Sequence, residues 1–382
     1  SEDWATLNIS LDAAQSARPY SLYVYRNRIL ARMLAGREED ALALASKAAS
    51  RGLTLNLTGH PAFEQLTALQ AFAAIAEQMA QNAEPAGAPS NTVEFPRADL
   101  LPEAIAYDRK KNLYIGSVRT GEILSASHEG GALTPIAAAQ AGIFDIEIRG
   151  DTIWAAVNNQ LAYERADPDE PFASVMAFNK KTGAPMREIR ATQPDALFGD
   201  LEVAKDGTLY VSDSTTPRIF SMAADGQNLE IYAEDPRFVN LQGIALDEKS
   251  RRLFVADYLG GLFVVNIQTG SVTALENDAD AHLGGIDGLY FFQGDLIGVQ
   301  NGSTPRRIVR IDLNEQATAV TSLTTLHSNL DGWTEPTHGA VLGNAFHYIA
   351  TSNWPLYDET WAVREGVELA PLRIMTAPLE SR

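Results

Sequence analysis

From about residue 100 onward, the sequence repeats groups of short runs rich in β-branched and aromatic residues, with a period of 42 to 55 residues. Turn residues such as Lys205-Asp206-Gly207 separate the runs within each group. Groups of about four short strands at this period are typical of the blades of a β-propeller. Six groups therefore predict a mainly β architecture, a six-bladed β-propeller over residues 91–382.

A propeller closes only if its two chain ends meet in one sheet, because an open strand edge invites aggregation. The sixth group ends with the run at residues 372–376 and is one strand short. A further strand-like run, residues 91–95, lies just before the first group. We predict that this run supplies the outermost strand of the sixth blade.

Residues 1–83 have a helical pattern, which predicts a small α-helical segment ahead of the propeller. Residues 21–35 and 37–49 carry apolar residues at helical spacing on either side of Gly36, so they predict a helical hairpin. The spacing of Gly36, Ala41 and Ala48 resembles that of a tetratricopeptide repeat (TPR), and such a unit needs a neighbour to cover its faces.

A third helix is predicted to begin at His60-Pro61 and to carry one apolar stripe, which comprises Phe63, Leu66, Leu69, Phe72, Ile75 and Met79. Residues 84–90 are rich in Pro, Ala and Gly and have no periodicity, which indicates a linker between the helical segment and the propeller. The helical segment is also a candidate recruitment arm for a protein partner.

Composition restricts the function classes. The formal net charge is −19, with 49 acidic and 30 basic residues, which argues against a nucleic-acid or anionic-membrane partner. The chain has no cysteine, so disulfides and thiolate sites are excluded. It begins with Ser1 rather than Met, which leaves open the removal of an export signal and hence a periplasmic or secreted location.

One polar residue stands at the start of the first strand of each group, and we call this set the column. Its members are Glu103, Asp145, Asp200, Gln242, Asp287 and His338. The first strand of every blade lines the central channel, so these side chains should converge at one channel mouth. Four carboxylates so close together cannot all be ionised without a compensating charge, and a bound cation would supply it.

The ligand types favour a divalent metal with a preference for oxygen. Carboxylates and the Gln242 amide suit calcium best, with magnesium or manganese as alternatives, whereas the nitrogen of His338 suits manganese or zinc. A second set, at the ends of the second strands, should ring the same face: Ser117, Arg119, Asn158, Asp213, Asp257, Asn301 and Asn353. Asp and Asn after a strand are also ordinary turn residues, and both interpretations stay open.

Three segments carry a resemblance to a known family: residues 101–108, residues 199–213 with the run Gly199-Asp200-Leu201-Glu202, and Ile286-Asp287-Gly288-Leu289. Over about residues 91–380 the chain resembles the SMP-30/gluconolactonase/LRE-like propellers, which belong to a superfamily with paraoxonases, diisopropyl-fluorophosphatase-like enzymes and strictosidine synthase. The resemblance implies a divalent metal, often calcium, on four channel residues, which here are Glu103, Asp200, Gln242 and Asp287. Asp200 and Gln242 stand where the family usually has asparagine.

The resemblance also implies hydrolysis of a lactone or related ester, a small-molecule substrate. The metal would polarise the carbonyl, and Asp287, Asp145 or Asp200 would activate water. His338 is a candidate proton shuttle if it is neutral near pH 7. Four aromatic residues near the same face, Phe144, Tyr258, Trp333 and Trp354, form either an apolar substrate wall or blade packing. The alternative function is a non-catalytic propeller that binds a ligand or a protein.

Overall fold

Six antiparallel sheets follow one another along residues 91–378 of the computed structural model, which describes residues 4–380. Blade 1 contains β2 (Pro102–Tyr107), β3 (Asn112–Ser117), β4 (Glu122–Ser127) and β5 (Gly130–Ala138). Blade 2 contains β6 (Gly142–Arg149), β7 (Thr152–Asn158), β8 (Ala173–Asn179) and β9 (Pro185–Arg190). Blade 3 contains β10 (Phe198–Val203), β11 (Leu209–Asp213), β12 (Arg218–Met222) and β13 (Glu230–Ala233).

The remaining three blades repeat this order. Blade 4 contains β14 (Leu241–Asp247), β15 (Arg252–Asp257), β16 (Gly261–Asn266) and β17 (Val272–Ala274). Blade 5 contains β19 (Ile286–Phe292), β20 (Asp295–Gln300), β21 (Arg307–Leu313) and β22 (Ala319–Ser328), and the short β18 (Glu276–Asn277) pairs in parallel with β22. Blade 6 contains β23 (Gly339–Leu342), β24 (Ala345–Ile349), β25 (Leu372–Pro378) and β1 (Asn91–Phe95).

The predicted closure is confirmed, since β1 pairs antiparallel with β25 from Asn91↔Thr376 to Phe95↔Leu372. The first strands of the blades form the inner ring, in which β2 contacts both β6 and β23, and the other inner strands contact their neighbours in turn. Large apolar side chains fill the space between successive blades, as Phe254 of blade 4 and Leu296 of blade 5 do in one buried cluster. The six-bladed propeller predicted from the repeat is therefore the observed fold.

The helical segment contains α1 (Trp4–Ala17), α2 (Leu22–Leu34), α3 (Glu38–Ser50), α4 (Pro61–Ala68) and α5 (Ala73–Ala83). The predicted hairpin is present as α2 and α3, and Gly36, at φ +71°, lies in the turn between them. The buried residues of this segment form a core of their own, including Ile29, Ala45 and Phe63. Its assignment to the TPR class stays a prediction.

The single third helix predicted from His60 is wrong, because the structure divides it into α4 and α5. Leu69 has an extended conformation, with φ −66° and ψ 135°, and a short 3-10 helix at Gln70–Phe72 follows it. The predicted stripe still faces the core, since Phe63, Leu66, Phe72, Ile75 and Met79 are buried and Leu69 packs against them. Because the break lies at Leu69, which is itself a residue of the apolar stripe, periodicity alone gave no sign of it.

The helical segment packs against blades 4 and 5. Arg51 forms an ion pair with Asp280, and the Thr54 amide donates to the Thr304 carbonyl at 2.6 Å. The linker predicted at residues 84–90 is also tied to the propeller, since Ala86 bridges to Ser328. The propeller thus contacts the helical segment just after α3, at Arg51 and Thr54. Among residues 4–380, none of the helices has the length and hydropathy to cross a membrane.

Candidate functional site

Five of the six inner strands contain a β-bulge at the same height in the channel. The pairing of the first two strands shifts by one residue after Pro102, Ile143, Phe198, Leu241 and Ile286. A bulge leaves an extra residue outside the ladder and re-aims its side chain. The bulges lie where the column begins, so they decide which of its members face the mouth.

The column occupies two positions of the bulge. Glu103, Gln242 and Asp287 come one residue after the last regular pair, where blades 2 and 3 have Phe144 and Gly199. Asp145 and Asp200 come two residues after it. The strand pairing resumes at Asp145 itself in blade 2 and directly after Glu103 and Asp200 in blades 1 and 3. In blades 4 and 5 it resumes two residues after Gln242 and Asp287.

Three members of the column gather at the mouth. Glu103, Asp287 and His338 each present a ligand atom, and these atoms all lie within 4.8 Å of one another. Glu103 and His338 are buried, and Asp287 is half-buried. We call these three residues the mouth cluster. They come from blades 1, 5 and 6, so the ring closure places residues 235 positions apart in the chain side by side.

Side chains from neighbouring loops hold the two carboxylates of the mouth cluster. The Trp354 indole N–H donates to Glu103 Oε2 at 2.6 Å. The Asn301 amide donates to Asp287 Oδ2 at 2.6 Å, and the Tyr258 hydroxyl donates to Asn301 Oδ1 at 2.9 Å. Each carboxylate therefore keeps its second oxygen available for a ligand.

Burial and neighbouring charges shift the pKa values of the mouth cluster. Burial, together with the nearby charge of Asp287, raises the pKa of Glu103 to about 8. Burial also raises the pKa of Asp287, and the neighbouring His338 opposes this. Burial alone would lower the pKa of His338, but Asp145, Asp287 and Glu103 together raise it to about 9. A raised pKa favours the charged ring near pH 7, whereas a proton shuttle needs the neutral ring, and this role of His338 stays a prediction.

The channel carboxylates Asp145 and Asp200 have a different environment. Asp145 Oδ2 accepts from the Leu201 amide at 3.0 Å, and Asp200 Oδ2 accepts from the Ile244 amide at 2.8 Å. Each carboxylate thereby joins the inner strand of its own blade to that of the next. Burial, with the charge of Asp145, raises the pKa of Asp200 well above its usual value.

Asp145 also lies close to the mouth cluster. Its Oδ1 lies 3.6 Å from His338 Nδ1, a buried ring nitrogen without a hydrogen-bond partner among the described residues. The side-chain amide nitrogen of Gln242 donates to Asn240 Oδ1 at 2.9 Å. The structure thus groups Glu103 and Asp287 with His338, whereas Asp200 and Gln242 as metal ligands remain predictions.

Below the channel carboxylates, the channel widens into a cavity of about 570 Å³ that opens at the opposite end of the propeller. Sequence reasoning missed its acids, Glu147 and Glu202, which follow Asp145 and Asp200 by two residues on the same strands. Burial raises the pKa of Glu147 to about 7, although the Arg149 guanidinium 3.0 Å away opposes the shift. The alternation of side chains along a strand was the available signal, because it places residues two apart on one face.

The residues at the ends of the second strands are mostly structural. Asp257 accepts from the amides of Val239, Asn240, Leu259 and Gly260, and Asn158 exchanges two hydrogen bonds with the backbone of Phe198. Asn301 is the member that touches the mouth cluster. The turn interpretation thus applies to Asp257 and Asn158, and the site interpretation to Asn301.

The four aromatic residues also divide. Trp333 packs against Tyr348 in the core of blade 6, with ring centroids 5.8 Å apart. Phe144 and Trp354 belong to an apolar cluster beside the mouth with Tyr357 and Trp361. Trp361 has φ +62°, an uncommon conformation for a bulky side chain that often marks a functional loop. Trp354 contacts Glu103 through its indole N–H, and Tyr258 reaches Asp287 through Asn301. The sequence did not indicate these polar roles.

One more charged pair at the mouth was missed. Arg306 donates to Glu335 Oε2 at 2.6 Å, and burial raises the pKa of Glu335 to about 7 against the effect of Arg306. Glu335 lies three residues before His338, outside any repeated position. It stands in the loop that leads into blade 6, and the alignment of the repeats compared strand positions, so it could not identify this residue.

The donor set of the mouth cluster fits a divalent cation. Two carboxylates and an imidazole offer ligands that calcium, manganese or zinc accept, and His338 favours the transition metals over calcium. A cation would also favour the ionised carboxylates, against the burial that raises the pKa of Glu103 and Asp287 and the charge of Asp287 that raises the pKa of Glu103 further. The expectation that the column acids cannot all be ionised together stays a prediction, and these shifts have the direction that it requires.

Comparison with known proteins shows the fold. The sequence matches neither a protein-family model nor a curated protein sequence. A PQQ-bound aldose sugar dehydrogenase from Streptomyces coelicolor aligns with a TM-score of 0.54 and 14% identity over 78% of this chain and 99% of that one. A virginiamycin B lyase from Staphylococcus aureus aligns with a TM-score of 0.51 and 14% identity over 76% of this chain and 99% of that one.

A luciferin-regenerating enzyme gives a similar result, with a TM-score of 0.52 and 11% identity over 77% of this chain and 95% of that one. The structural neighbours thus include propeller enzymes of different chemistry. Because one propeller architecture serves many reactions, these similarities establish the fold and leave the function to the site.

Proposed function

We propose that the protein is a metal-dependent hydrolase that acts on a lactone or a related ester at the channel mouth. The observation that carries this proposal is the mouth cluster, two carboxylates and an imidazole within 4.8 Å of one another. The resemblance of the channel segments to the SMP-30/gluconolactonase/LRE-like propellers supports the same reaction class. A PQQ-bound neighbour indicates that propellers of this shape also hold organic cofactors, but metal ligation suits the mouth cluster better.

Glu103, Asp287 and His338 would hold the cation. When bound, a divalent cation polarises an ester carbonyl and stabilises the oxyanion that forms when water attacks it. Manganese and calcium are the candidates that we rank first, because two of the three donors are carboxylates. Asp145, 3.6 Å from His338 Nδ1, would orient the ring as an outer carboxylate does in many metal sites.

Asp287 is the candidate general base. Its Oδ2 accepts from Asn301, which fixes the carboxylate, so Oδ1 would contact the cation with one lone pair and take a proton from the attacking water with the other. The ring C–O bond of the lactone then breaks, and the alkoxide takes that proton to give a hydroxy acid.

Metal titration and turnover together test this function. Calorimetric titration with Mn²⁺ and Ca²⁺ should show one site in the wild type and none in Glu103→Ala. A panel of lactones and simple esters should then be hydrolysed only when the metal is present. No binding of either ion, or turnover that survives in Asp287→Ala, would contradict the proposal.

The second candidate function is a non-catalytic propeller that binds a ligand or a protein. Two apolar side chains of the helical segment favour it, since Tyr23 is 77% exposed and Ile9 is 70% exposed. Retained metal binding without turnover of any ester in the panel would support this function over hydrolysis. Loss of binding to an identified partner in Tyr23→Ala would place the contact on α2.

A further inference from the structure

We infer that the helical segment helps to fix the geometry of the channel mouth, and that Tyr20 is a positioning residue for Asp287. This inference rests on the proposed function only where it names Asp287 as a metal ligand. The path begins at Tyr20, continues through the loop that joins β15 to β16, and reaches Asp287 through Tyr258 and Asn301. Every step is a contact between described residues.

The first step is the docking of Tyr20 between β16 and the loop before β19. The Tyr20 amide donates to the Leu259 carbonyl at 3.0 Å, and the Asn277 amide donates to the Tyr20 hydroxyl at 3.1 Å. The ring packs edge-on against His282, with centroids 5.5 Å apart. Tyr20 therefore fixes the loop at residues 257–261 from outside the propeller.

Glycine is needed for this close approach. A Cβ at Gly284 would lie 2.2 Å from Tyr20 Cβ and 3.0 Å from the Tyr258 carbonyl oxygen. A Cβ at Gly261 would lie 2.4 Å from Tyr20 Cε2. Real Cβ atoms do not come so close to other heavy atoms, so the backbone of the propeller is shaped to receive this ring.

The second step leads from the loop to the site. The Tyr258 carbonyl accepts from the Gly285 amide at 2.8 Å, and the Gly285 carbonyl accepts from the Gly302 amide at 3.0 Å. The Tyr258 ring lies so close to Gly302 that a Cβ there would be 2.3 Å from its Cζ. The ring is thus locked over the turn that carries Asn301, and its hydroxyl holds the Asn301 amide toward Asp287.

A parallel contact supports the same coupling. Arg307, which is buried, donates to the carbonyl of Arg51 at 3.3 Å on one side and to Gln300 Oε1 on the other. Gln300 in turn donates to the Gly284 carbonyl at 2.7 Å. The helical segment thus holds both ends of the segment that presents Asp287, and it does so at two separate places.

Amide exchange tests the positioning without reference to any metal. Hydrogen–deuterium exchange of peptides that cover residues 257–261 and 284–303 should be about tenfold faster in Tyr20→Ala than in the wild type. The matched control is Tyr23→Ala, in the same segment but 77% exposed, which should exchange as the wild type does. Equal exchange in a folded Tyr20→Ala variant would overturn the inference. If Tyr20→Ala does not fold, Tyr20→Leu replaces it, because leucine keeps an apolar side chain in the slot.

Mn²⁺ affinity, measured by calorimetry on the full chain, tests the connection to Asp287. Tyr20→Ala should weaken binding about three- to tenfold, Tyr258→Phe should weaken it to a similar extent, and Tyr20→Phe should restore near-wild-type affinity. In an Asn301→Ala background, Tyr20→Ala should cause no further loss, because the path is already cut. Additive losses would overturn the path. Faster exchange in a protein whose wild type binds no Mn²⁺ would uphold the positioning and reject the proposed function.

Discussion

The mouth cluster and the channel carboxylates come from the same column of the sequence, yet their carboxylates are held in different ways. Asp145 and Asp200 each accept a hydrogen bond from a backbone amide of the next blade. Glu103 and Asp287 are held by the side chains of Trp354 and Asn301 instead. A carboxylate that accepts from the backbone stabilises the fold, whereas one that is oriented by side chains at an open mouth is free to bind a ligand.

The largest expected effect tests the mouth cluster. Asp287→Ala should weaken Mn²⁺ binding by at least about 100-fold, because it removes a ligand and leaves Asn301 without its acceptor. Calorimetric titration measures the change. Asp200→Ala is the matched control at the other position of the bulge, and the affinity of the folded variant should stay within about threefold of the wild type. An equal loss in Asp200→Ala would instead place Asp200 among the metal ligands and erase the distinction.

The next effect concerns the channel carboxylates. Asp200→Ala should lower the free energy of unfolding by about 1–3 kcal/mol, because the buried Ile244 amide loses its acceptor. Urea unfolding measures the change. Asp200→Asn should keep most of the stability, since its amide oxygen can still accept from Ile244. A similar destabilisation in both variants would mean that charge, rather than the hydrogen bond, supports the blade contact.

Trp354→Phe tests how side chains hold the mouth cluster. The substitution keeps an aromatic ring but removes the N–H that donates to Glu103, so Mn²⁺ affinity should fall about tenfold. Its stability should change little, because the ring stays in the apolar cluster beside the mouth. Trp333→Phe, in the core of blade 6, is the control and should leave metal affinity unchanged. Wild-type affinity in Trp354→Phe would show that Glu103 needs no such support.

The pH dependence of stability should reveal the buried acids of the cavity that opens at the opposite end of the propeller. Burial raises the pKa of Glu147 from 4.5 to about 7, so the folded protein binds this proton more tightly than the unfolded chain does. The resulting stability is fully present below about pH 4.5 and is lost as the pH rises through about 7. Glu147→Gln should therefore gain about 1 kcal/mol relative to the wild type between pH 6 and pH 8 in urea unfolding. A constant difference across this range would contradict the shift.

The smallest expected effect concerns Gln242. Gln242→Leu should change Mn²⁺ affinity by less than about threefold, because its amide bonds to Asn240 rather than to the mouth cluster. Calorimetry again measures the affinity. A loss comparable to that of Asp287→Ala would restore Gln242 to the metal shell, as its resemblance to the family pattern implies.

The repeat predicted the blades and their closure because each strand is specified locally, by its own apolar run and the turn beside it. The column was also visible, but its division was not recognised, since the alignment matched polar residues and did not predict where each bulge begins. Trp354, Asn301 and Glu335 reach the site from connecting loops. Loops do not repeat, so sequence periodicity could not assign their partners.

The bulges are places where the sequence can vary while the strands keep their pairing. An unpaired residue takes no part in the ladder, so replacing its side chain leaves the hydrogen bonds between the strands in place. The ring of bulge residues reads Glu103, Phe144, Gly199, Gln242 and Asp287, which differ in charge, size and polarity while the surrounding strands keep one geometry. The scaffold thus has five positions near the channel mouth at which side chains of different chemistry stand on one backbone geometry.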